Sequence, residues 1–379
     1  MNIAIIGCGF SGLASALFLS EKENANITIF EKFCEVKAVG AGVTIQPSSM
    51  HVLKKLGLYD DLLKNGEKIF DLFGTNHKGK KVFHTSYVDY EKDGFGIGIH
   101  RSELFNLLYK KALTKDNIKI VLNSEIQNIE VLKSQYDLVI IANGTNSELR
   151  KNLPIKQKCH AYPYGCIWTT IEHESGAPNQ LQQYVKYSQE MFGILPSGIQ
   201  NNKRLLSIFW SLPVRQKDNY SKTEVLANMK KYNISLDLMS KIESANFTFA
   251  SYNEVWMKAY HHDNVVVIGD AAHGMSPQLG QGINMGLIDA YILNKCLELD
   301  NVAKSLECYT KTRKPHLNFY RQASNFLTPL FQSDNWHYGW ARDCLFTISQ
   351  KLSFSRVMSS HILYGKRISW WSKKELKLD

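Results

Sequence analysis

VVVIGDAAHGMSPQLGQGINMG, residues Val265–Gly286, opens with an apolar β-branched run and breaks sharply at glycine. Val265–Ile268 reads as a buried parallel strand, because only a strand covered on both faces can be apolar at every position. Gly269 and Asp270 follow at once. Pro277, Gly280, Gly282 and Gly286 then keep bulky Cβ atoms away until a helical pattern begins near Ile283, so a flat ligand can lie against the backbone. A carboxylate at the strand end accepts hydrogen bonds from a ribose or polyol, and the free N–H groups of the helix start favour negative charge. The stretch reads as a cofactor seat.

A partner for it stands at the N-terminus. Asn2–Ile6 is a short apolar strand, followed by Gly7-Cys-Gly9-Phe-Ser11-Gly12, a helix carrying Leu13, Leu17 and Phe18, and a second strand, Ile27–Phe30, ending at Glu31. This is a dinucleotide fingerprint in its full strand, turn and helix context. Acidic Glu31 favours a free 2′-hydroxyl, so FAD or NAD fits this site better than NADP. Further on, Gly40–Pro47 suggests backbone lying alongside the cofactor. Arg101, opening a helix over Ser102–Leu113 with Ser102 and Glu103 as its cap, can clamp a pyrophosphate. The apolar strand Asp137–Ile141 breaks into Asn143-Gly144, and a short helix capped by Ser147 follows, with Arg150 reaching the same region.

Between these motifs the texture changes. Residues 69–87 alternate as a hairpin turning at Asn76–Gly79, and 159–212 alternate as strands separated by turns at Ser175–Pro178 and Ser197–Asn202. An antiparallel sheet with one covered face is expected, and Trp168, Tyr184, Phe192, Trp210 and Tyr252 are candidates to line a pocket on it. Helices near 222–232 and 235–244 precede a strand over Phe247–Trp256. The C-terminal part predicts helices over 303–327 and 340–363 joined by Thr328–Trp336. Its tail mixes Trp370 and Trp371 with lysines, which suits either a solvated helix end with one docked tryptophan or a peripheral contact with a membrane. The expected partition is a discontinuous cofactor domain over 1–68, 96–158 and 253–302, a substrate domain over 69–95 and 159–252, and a helical region over 303–379.

The chain of 379 residues is long enough for two such domains, and its formal charge of +10 is spread over scattered lysines. That charge suits anionic cofactors better than nucleic acid, for which there is no stacking motif or clustered basic helix. The seven cysteines, at 8, 34, 159, 166, 296, 308 and 344, show no C-x-x-C pair and no metal-ligand spacing, as expected of reduced thiols in the cytoplasm. The start lacks a basic n-region, and no apolar run reaches the roughly 18–20 residues needed to cross a bilayer.

The three motifs, GCGFSG with Glu31, the strand and turn at Asn143-Gly144 with Arg150, and GDAAHGMSPQLGQGINMG, together resemble the class A, single-component FAD-dependent monooxygenases, the p-hydroxybenzoate hydroxylase-like family. The resemblance implies an α/β fold: a Rossmann-like FAD-binding domain with an inserted antiparallel-sheet substrate domain and C-terminal helices. It implies noncovalent FAD, NADPH or NADH as reductant, and hydroxylation of an aromatic or conjugated small molecule through a flavin C4a-hydroperoxide. Carried over by motif position, Gly7, Gly9, Ser11, Gly12, Glu31 and Lys32 serve the ADP half, Arg101 the pyrophosphate, and Asp270 the ribitol, with Asn143 and Gly144 contributing to the cofactor site. Pro277, Gly280, Gly282, Ile283 and Asn284 border the isoalloxazine ring, Pro277, Gly282 and Asn284 being nearest the chemistry. Asn143 stands where the family has aspartate, and Lys32 where arginine is common. His273 is read as structural. Alternatives are a flavin-dependent halogenase, a reductase of an unsaturated lipid-like substrate, and a non-enzymatic FAD-binding sensor or carrier.

Overall fold

In the computed structural model the strand Asn2–Ile6 pairs in parallel with Asn26–Phe30 on one side and Leu138–Ile141 on the other. Val265–Val267 and Ile118–Val121 extend this sheet in parallel, and His261–His262 closes one edge antiparallel. Ile3, Ile5, Val139, Ile140, Val265 and Val267 are all fully buried, which is why these runs carry no polar alternation. Residues 1–36, 40–173, 179–232, 234–299, 301–349, 352–371 and 374–378 are described; the turn expected at Ser175–Pro178 and part of the Trp/Lys tail lie outside them.

The helices Phe10–Leu19 and Gly282–Cys296 pack together on the parallel sheet. Ser11 is the wedge between the motifs: a Cβ at Gly269 or Gly286 would stand 2.3 or 2.2 Å from its hydroxyl oxygen. Small residues are required at both positions for the first and third motifs to meet.

A seven-stranded sheet forms the second layer, in the order Thr248–Ala250, Tyr164–His173, Lys203–Pro213, Glu190–Gln200, Gln180–Lys186, Asp71–Asn76 and Lys81–Ser86. The expected all-antiparallel sheet is corrected at one place, since Gln180–Lys186 and Asp71–Asn76 run parallel. Those strands come from separate excursions of the chain, so no hairpin forces them to oppose. The expected strand Phe247–Trp256 is also two strands, one on this sheet and Asn253–Met257 on a two-stranded ribbon with Gln157–Ala161. Helices Lys222–Met229 and Leu236–Ser244 cover one face of the large sheet. A three-stranded antiparallel sheet, Gly42–Ile45, Gly96–His100 and Glu67–Ile69, joins the two layers, and a Cβ at Gly98 would stand 2.0 Å from the Pro196 carbonyl.

The C-terminal helices depart from expectation. One helix runs from Val302 to Phe331 through Pro315 and Pro329, and the second expected helix is two, Trp336–Ser349 and Ser353–Tyr364. Leu330 and Phe331 are buried against Val82, Val185 and Met191, and this packing holds a last turn that Pro329 weakens locally. Trp370 docks on Phe319 with its ring tilted at 53° and ring centroids 4.7 Å apart, whereas Trp371 is 97 % exposed. Among the described residues no helix is long and apolar enough to cross a membrane.

Candidate active site

The first glycine turn is shaped by two contacts and one opening. Gly7 has φ +106°, and a Cβ there would stand 2.6 Å from the Ala142 carbonyl, where the turn after Leu138–Ile141 abuts it. At Gly12 a Cβ would stand 2.1 Å from the Gly7 carbonyl, so helix and strand approach at backbone distance. At Gly9 it would meet nothing within 4 Å. The first ladder bond joins Leu13 N–H to the Gly9 carbonyl at 2.9 Å, and no side chain caps the helix. The N–H groups of Phe10, Ser11 and Gly12 therefore precede the ladder at the open side, a ready anion site.

Glu31 is locked at the rim by the Cys8 and Phe33 N–H groups, at 2.9 and 3.2 Å. Burial, reinforced by Glu31, pushes the Cys8 thiol up to about 12, so it stays neutral beneath the turn. Lys32 is exposed with its ammonium 4.8 Å over the Phe33 ring. Arg101 lies with its guanidinium carbon 5.3 Å over Phe10, the first residue of the helix, and has no carboxylate partner among the described residues. The helix it opens has His100 at its N-cap position and no side-chain cap, and the Ser102 hydroxyl bonds His100 Nδ1 at 2.6 Å instead.

Asn143 is exposed beside Gly7, and Gly144, at φ +84°, is open on its Cβ side. Two expectations about the residues after it are corrected. Ser147 caps nothing and its hydroxyl is buried without a partner, because the chain makes only a 3₁₀ turn, Leu149–Asn152. Arg150 turns inward and donates to the Thr145 and Ala271 carbonyls at 2.6 and 3.5 Å, so it braces the turn instead of facing a ligand.

At the third motif Asp270 is exposed, its carboxylate has no hydrogen-bond partner among the described residues, and a Cβ at Gly282 would stand 3.7 Å from its Oδ1. Gly280 is left-handed at φ +60° with open space on its Cβ side, and Pro277 is exposed beside it. The ladder of Gly282–Cys296 begins with Met285 N–H to the Gln281 carbonyl at 2.8 Å, so Gly282, Ile283 and Asn284 present their N–H groups ahead of it. The Asn284 side chain, by contrast, is fully buried and consumed: Oδ1 accepts from Gln46 N–H at 2.9 Å, and Nδ2 donates to Thr44 and Gly280 carbonyls at 3.0 and 2.9 Å. It clamps the strand Gly42–Ile45 to the glycine turn, and Gly282 and Ile283 are the partly exposed residues of the helix start.

Beneath the motif runs a buried polar chain. His273 Nε2 and Gly269 N–H donate to Asp289 Oδ2, Arg313 Nε donates to Asp289 Oδ1 at 2.7 Å, Arg313 bonds His316 Nδ1, and His316 Nε2 donates to the Gly365 carbonyl at 2.8 Å. Burial pushes the Asp289 carboxyl up, but His273, Arg313 and the Gly269 N–H outweigh it and hold the group well below the carboxylate range. Burial, with Arg313 alongside, keeps His316 neutral. His273 thus orients the Gly269-Asp270 turn from behind, a structural position.

The substrate side shows the effect of strand parity. Phe192 and Trp210 are buried with Ile167, Ile208 and Met229 under the two helices, and Tyr184 stacks on Phe192 at 5.4 Å. These three expected pocket residues therefore belong to the core on the covered face. Trp168 lies on the other face with Cys166 and Thr170, and cross-strand with Ser207, Phe209 and Ser211. That face meets the cofactor layer through Ser207 Oγ, which accepts from Gly42 N–H at 2.6 Å; on the same face Cys166 Sγ lies 2.8 Å from Tyr252 Oη, and Gln332 Nε2 of the C-terminal region donates to Ser211 Oγ at 3.0 Å. Burial pushes the Cys166 thiol up to about 11 and the Tyr252 phenol well above its usual value. Nearby, Tyr162 Oη accepts from Ser276 N–H, the residue before Pro277, at 3.1 Å. Cys166, Ser207, Phe209, Ser211 and Tyr162 escaped the sequence reading, although counting alternate residues from Trp168 finds Cys166. A separate polar cavity of about 360 Å³, lined among others by Tyr164, Glu190, Trp210 and Asn228, includes none of the motif residues.

Comparison with known proteins agrees with this architecture. A family described as FAD binding domain matches residues 1–131 and 114–322. Aurachin C monooxygenase/isomerase of Stigmatella aurantiaca is 23 % identical over 368 residues, covering 91 % of this chain and 93 % of its own. The 6-hydroxynicotinate 3-monooxygenase of Bordetella bronchiseptica is 21 % identical over 370 residues, 89 % of this chain and 95 % of its own. The solved tetrameric form of 2-methyl-3-hydroxypyridine-5-carboxylic acid oxygenase shares the fold, with a TM-score of 0.74, 21 % identity, and coverage of 86 % of this chain and 92 % of that one.

Proposed function

The chain belongs to the FAD binding domain family and is a class A FAD-dependent monooxygenase, and from that premise we propose how its residues hold FAD, which reductant it takes and what it hydroxylates. The observation that carries the assignment of residues is the set of groups left open along one path: the uncapped N–H groups behind Gly9, the unpaired Arg101 and Asp270, and the uncapped N–H groups of the partly exposed Gly282 and Ile283. Each fits a different part of FAD. Glu31, already anchored, accepts from the adenosine ribose; Phe10–Gly12 N–H groups and Arg101 take the pyrophosphate; Asp270 accepts from the ribitol; and the N–H groups of Gly282, Ile283 and Asn284 face the ring edge where reduction places negative charge. Bound there, FAD supplies electron transfer from NAD(P)H and activation of O2. Pro277 borders the ring, and Trp168, Phe209 and Tyr252 enclose the side on which a substrate lies, excluding water.

The substrate class is a small aromatic or conjugated molecule. The relatives named above, whose names place two of them on a hydroxynicotinate and a hydroxypyridine, support this reading. Neither a halogenase, a lipid reductase nor a sensor is favoured. Seven free cysteines support a reducing, cytoplasmic setting, and docked Trp370 beside exposed Trp371 supports reading the tail as a solvated end with one docked tryptophan. The partition into a cofactor domain (1–68, 96–158, 253–302), a substrate domain (69–95, 159–252) and a helical region (303–379) is part of the same proposal. The test is an absorption spectrum of the purified protein before and after anaerobic NADPH and then NADH. A two-banded flavin spectrum that bleaches and recovers in air is expected, with recovery coupled to hydroxylation of phenols, pyridines or quinolones. A bound flavin that neither nicotinamide reduces refutes the proposed reductant.

A further inference from the structure

The helix Trp336–Ser349 has its polarity reversed. Its two charged residues are the ones that turn inward: Arg342 is fully buried, donating to the Tyr187 and Leu330 carbonyls at 2.8 and 3.0 Å and to Asp343, and Asp343 accepts from Asn76 Nδ2 at 2.9 Å. Its outer surface carries Trp336, Tyr338, Trp340, Leu345 and Ile348, each between 44 and 63 % exposed, and not one charged residue. Phe326 on the preceding helix and Leu352 just beyond are also more than half exposed. A contiguous exposed apolar surface of this kind marks an interaction site.

The rim supplies the opposite chemistry. The hairpin Asp71–Ser86 is tied to this helix by the Asn76–Asp343 bond and by a chain of ring contacts, His77 tilted on Tyr187 at 5.0 Å and Tyr187 edge-on to Trp336 at 5.8 Å. At its tip Lys78, Lys80 and Lys81 are exposed, and no carboxylate pairs with any of them among the described residues. An apolar, aromatic-rich strip bordered by three unpaired ammonium groups matches the two layers of one surface: the acyl boundary takes the indole and aliphatic groups, and acidic headgroups take the lysines.

We propose that the outer face of the helix Trp336–Ser349, with Lys78, Lys80 and Lys81 on its rim, docks on an anionic phospholipid bilayer surface. The contact lies in the interface plane and nothing crosses the bilayer. The inner side of the same helix places Phe346 against Phe331, in the cluster that includes Phe209, so the docked surface lies one side-chain layer from the substrate face.

The FAD-loaded full chain is sedimented with vesicles of neutral phosphatidylcholine and of an equal mixture of phosphatidylcholine and phosphatidylglycerol. Binding to the mixed vesicles, weakened by salt, is expected. Trp340→Glu combined with Ile348→Glu should weaken it at least about tenfold. Replacing Lys78, Lys80 and Lys81 by Gln should weaken it about a hundredfold on the anionic vesicles and leave any binding to neutral ones unchanged. Retained flavin absorbance shows that each variant is folded, and the lysine variant stands as the test if the other does not fold. Failure of the parent to bind anionic vesicles, or binding that neither variant weakens, overturns the proposal. So does a concentration-dependent dimer that Trp340→Glu with Ile348→Glu abolishes, since the face then belongs to a second copy.

Discussion

Gly9→Ala should weaken flavin binding while leaving the empty protein almost as stable as its parent. Gly9 has φ −88° and ψ −172°, an extended conformation that alanine adopts freely, and a methyl there meets no protein atom within 4 Å. The cost in the empty protein is that of a poorer N-cap, about 0.5–1 kcal/mol. The same methyl stands on the open side from which a pyrophosphate reaches the Phe10–Gly12 N–H groups. Losing one or two of those charge-assisted bonds, at about 1.5–3 kcal/mol each, raises the FAD dissociation constant by at least about tenfold. Gly7→Ala is the contrast, because its φ of +106° and the 2.6 Å approach to the Ala142 carbonyl destabilise the empty protein by about 2–4 kcal/mol. The assay pairs FAD titration of deflavinated protein, followed by flavin fluorescence, with urea unfolding of the same sample. A Gly9→Ala protein that binds FAD within about threefold of the parent would refute the path drawn for the pyrophosphate.

Five further outcomes follow from the same geometry. Asp270→Ala should greatly weaken FAD retention, and full flavin occupancy would place the ribitol elsewhere. Asn143→Asp should preserve FAD and speed reduction by NAD(P)H, with unchanged stopped-flow kinetics showing that the departure at this position is neutral. Phe192→Ala should cost about 3–5 kcal/mol of stability as a core cavity, whereas Trp168→Ala should leave unfolding nearly unchanged and raise KM or uncouple NAD(P)H oxidation from hydroxylation; the reverse pattern would invalidate the assignment of faces. Asp289→Asn leaves Arg313 buried without its counter-charge and should cost about 3–5 kcal/mol in urea unfolding. Because His316 is held neutral in the fold, stability should fall as pH drops below about 6.5, where only the unfolded chain takes up that proton, by up to about 1.4 kcal/mol per pH unit; His316→Gln should flatten this slope.

The glycines, the apolar strand runs and the terminal carboxylates were legible in the chain because their constraint is local. Gly7 needs a left-handed φ, Gly12 a backbone contact, and a parallel strand an unbroken apolar run, so each leaves a mark within a few residues of itself. By that route the sequence alone determined the family and the α/β architecture, and it supplied the string of positions proposed to meet FAD. Which face of a strand looks at that cofactor leaves no such mark. Tyr184, Phe192 and Trp210 differ from Trp168 only in parity relative to the neighbouring strands, and it took the helices Lys222–Met229 and Leu236–Ser244, packed on one side, to make three of them core. Likewise Asn284 reads as a polar residue at a ligand-facing helix start, and only the approach of Thr44 and Gln46 from a distant strand uses up its side chain. The same holds for the reversed helix Trp336–Ser349, whose charges point inward because Tyr187, Leu330 and Asn76 stand there to receive them. Local steric demands are written in the sequence, whereas the direction in which a side chain is satisfied depends on groups far away along the chain, brought near only by the tertiary fold.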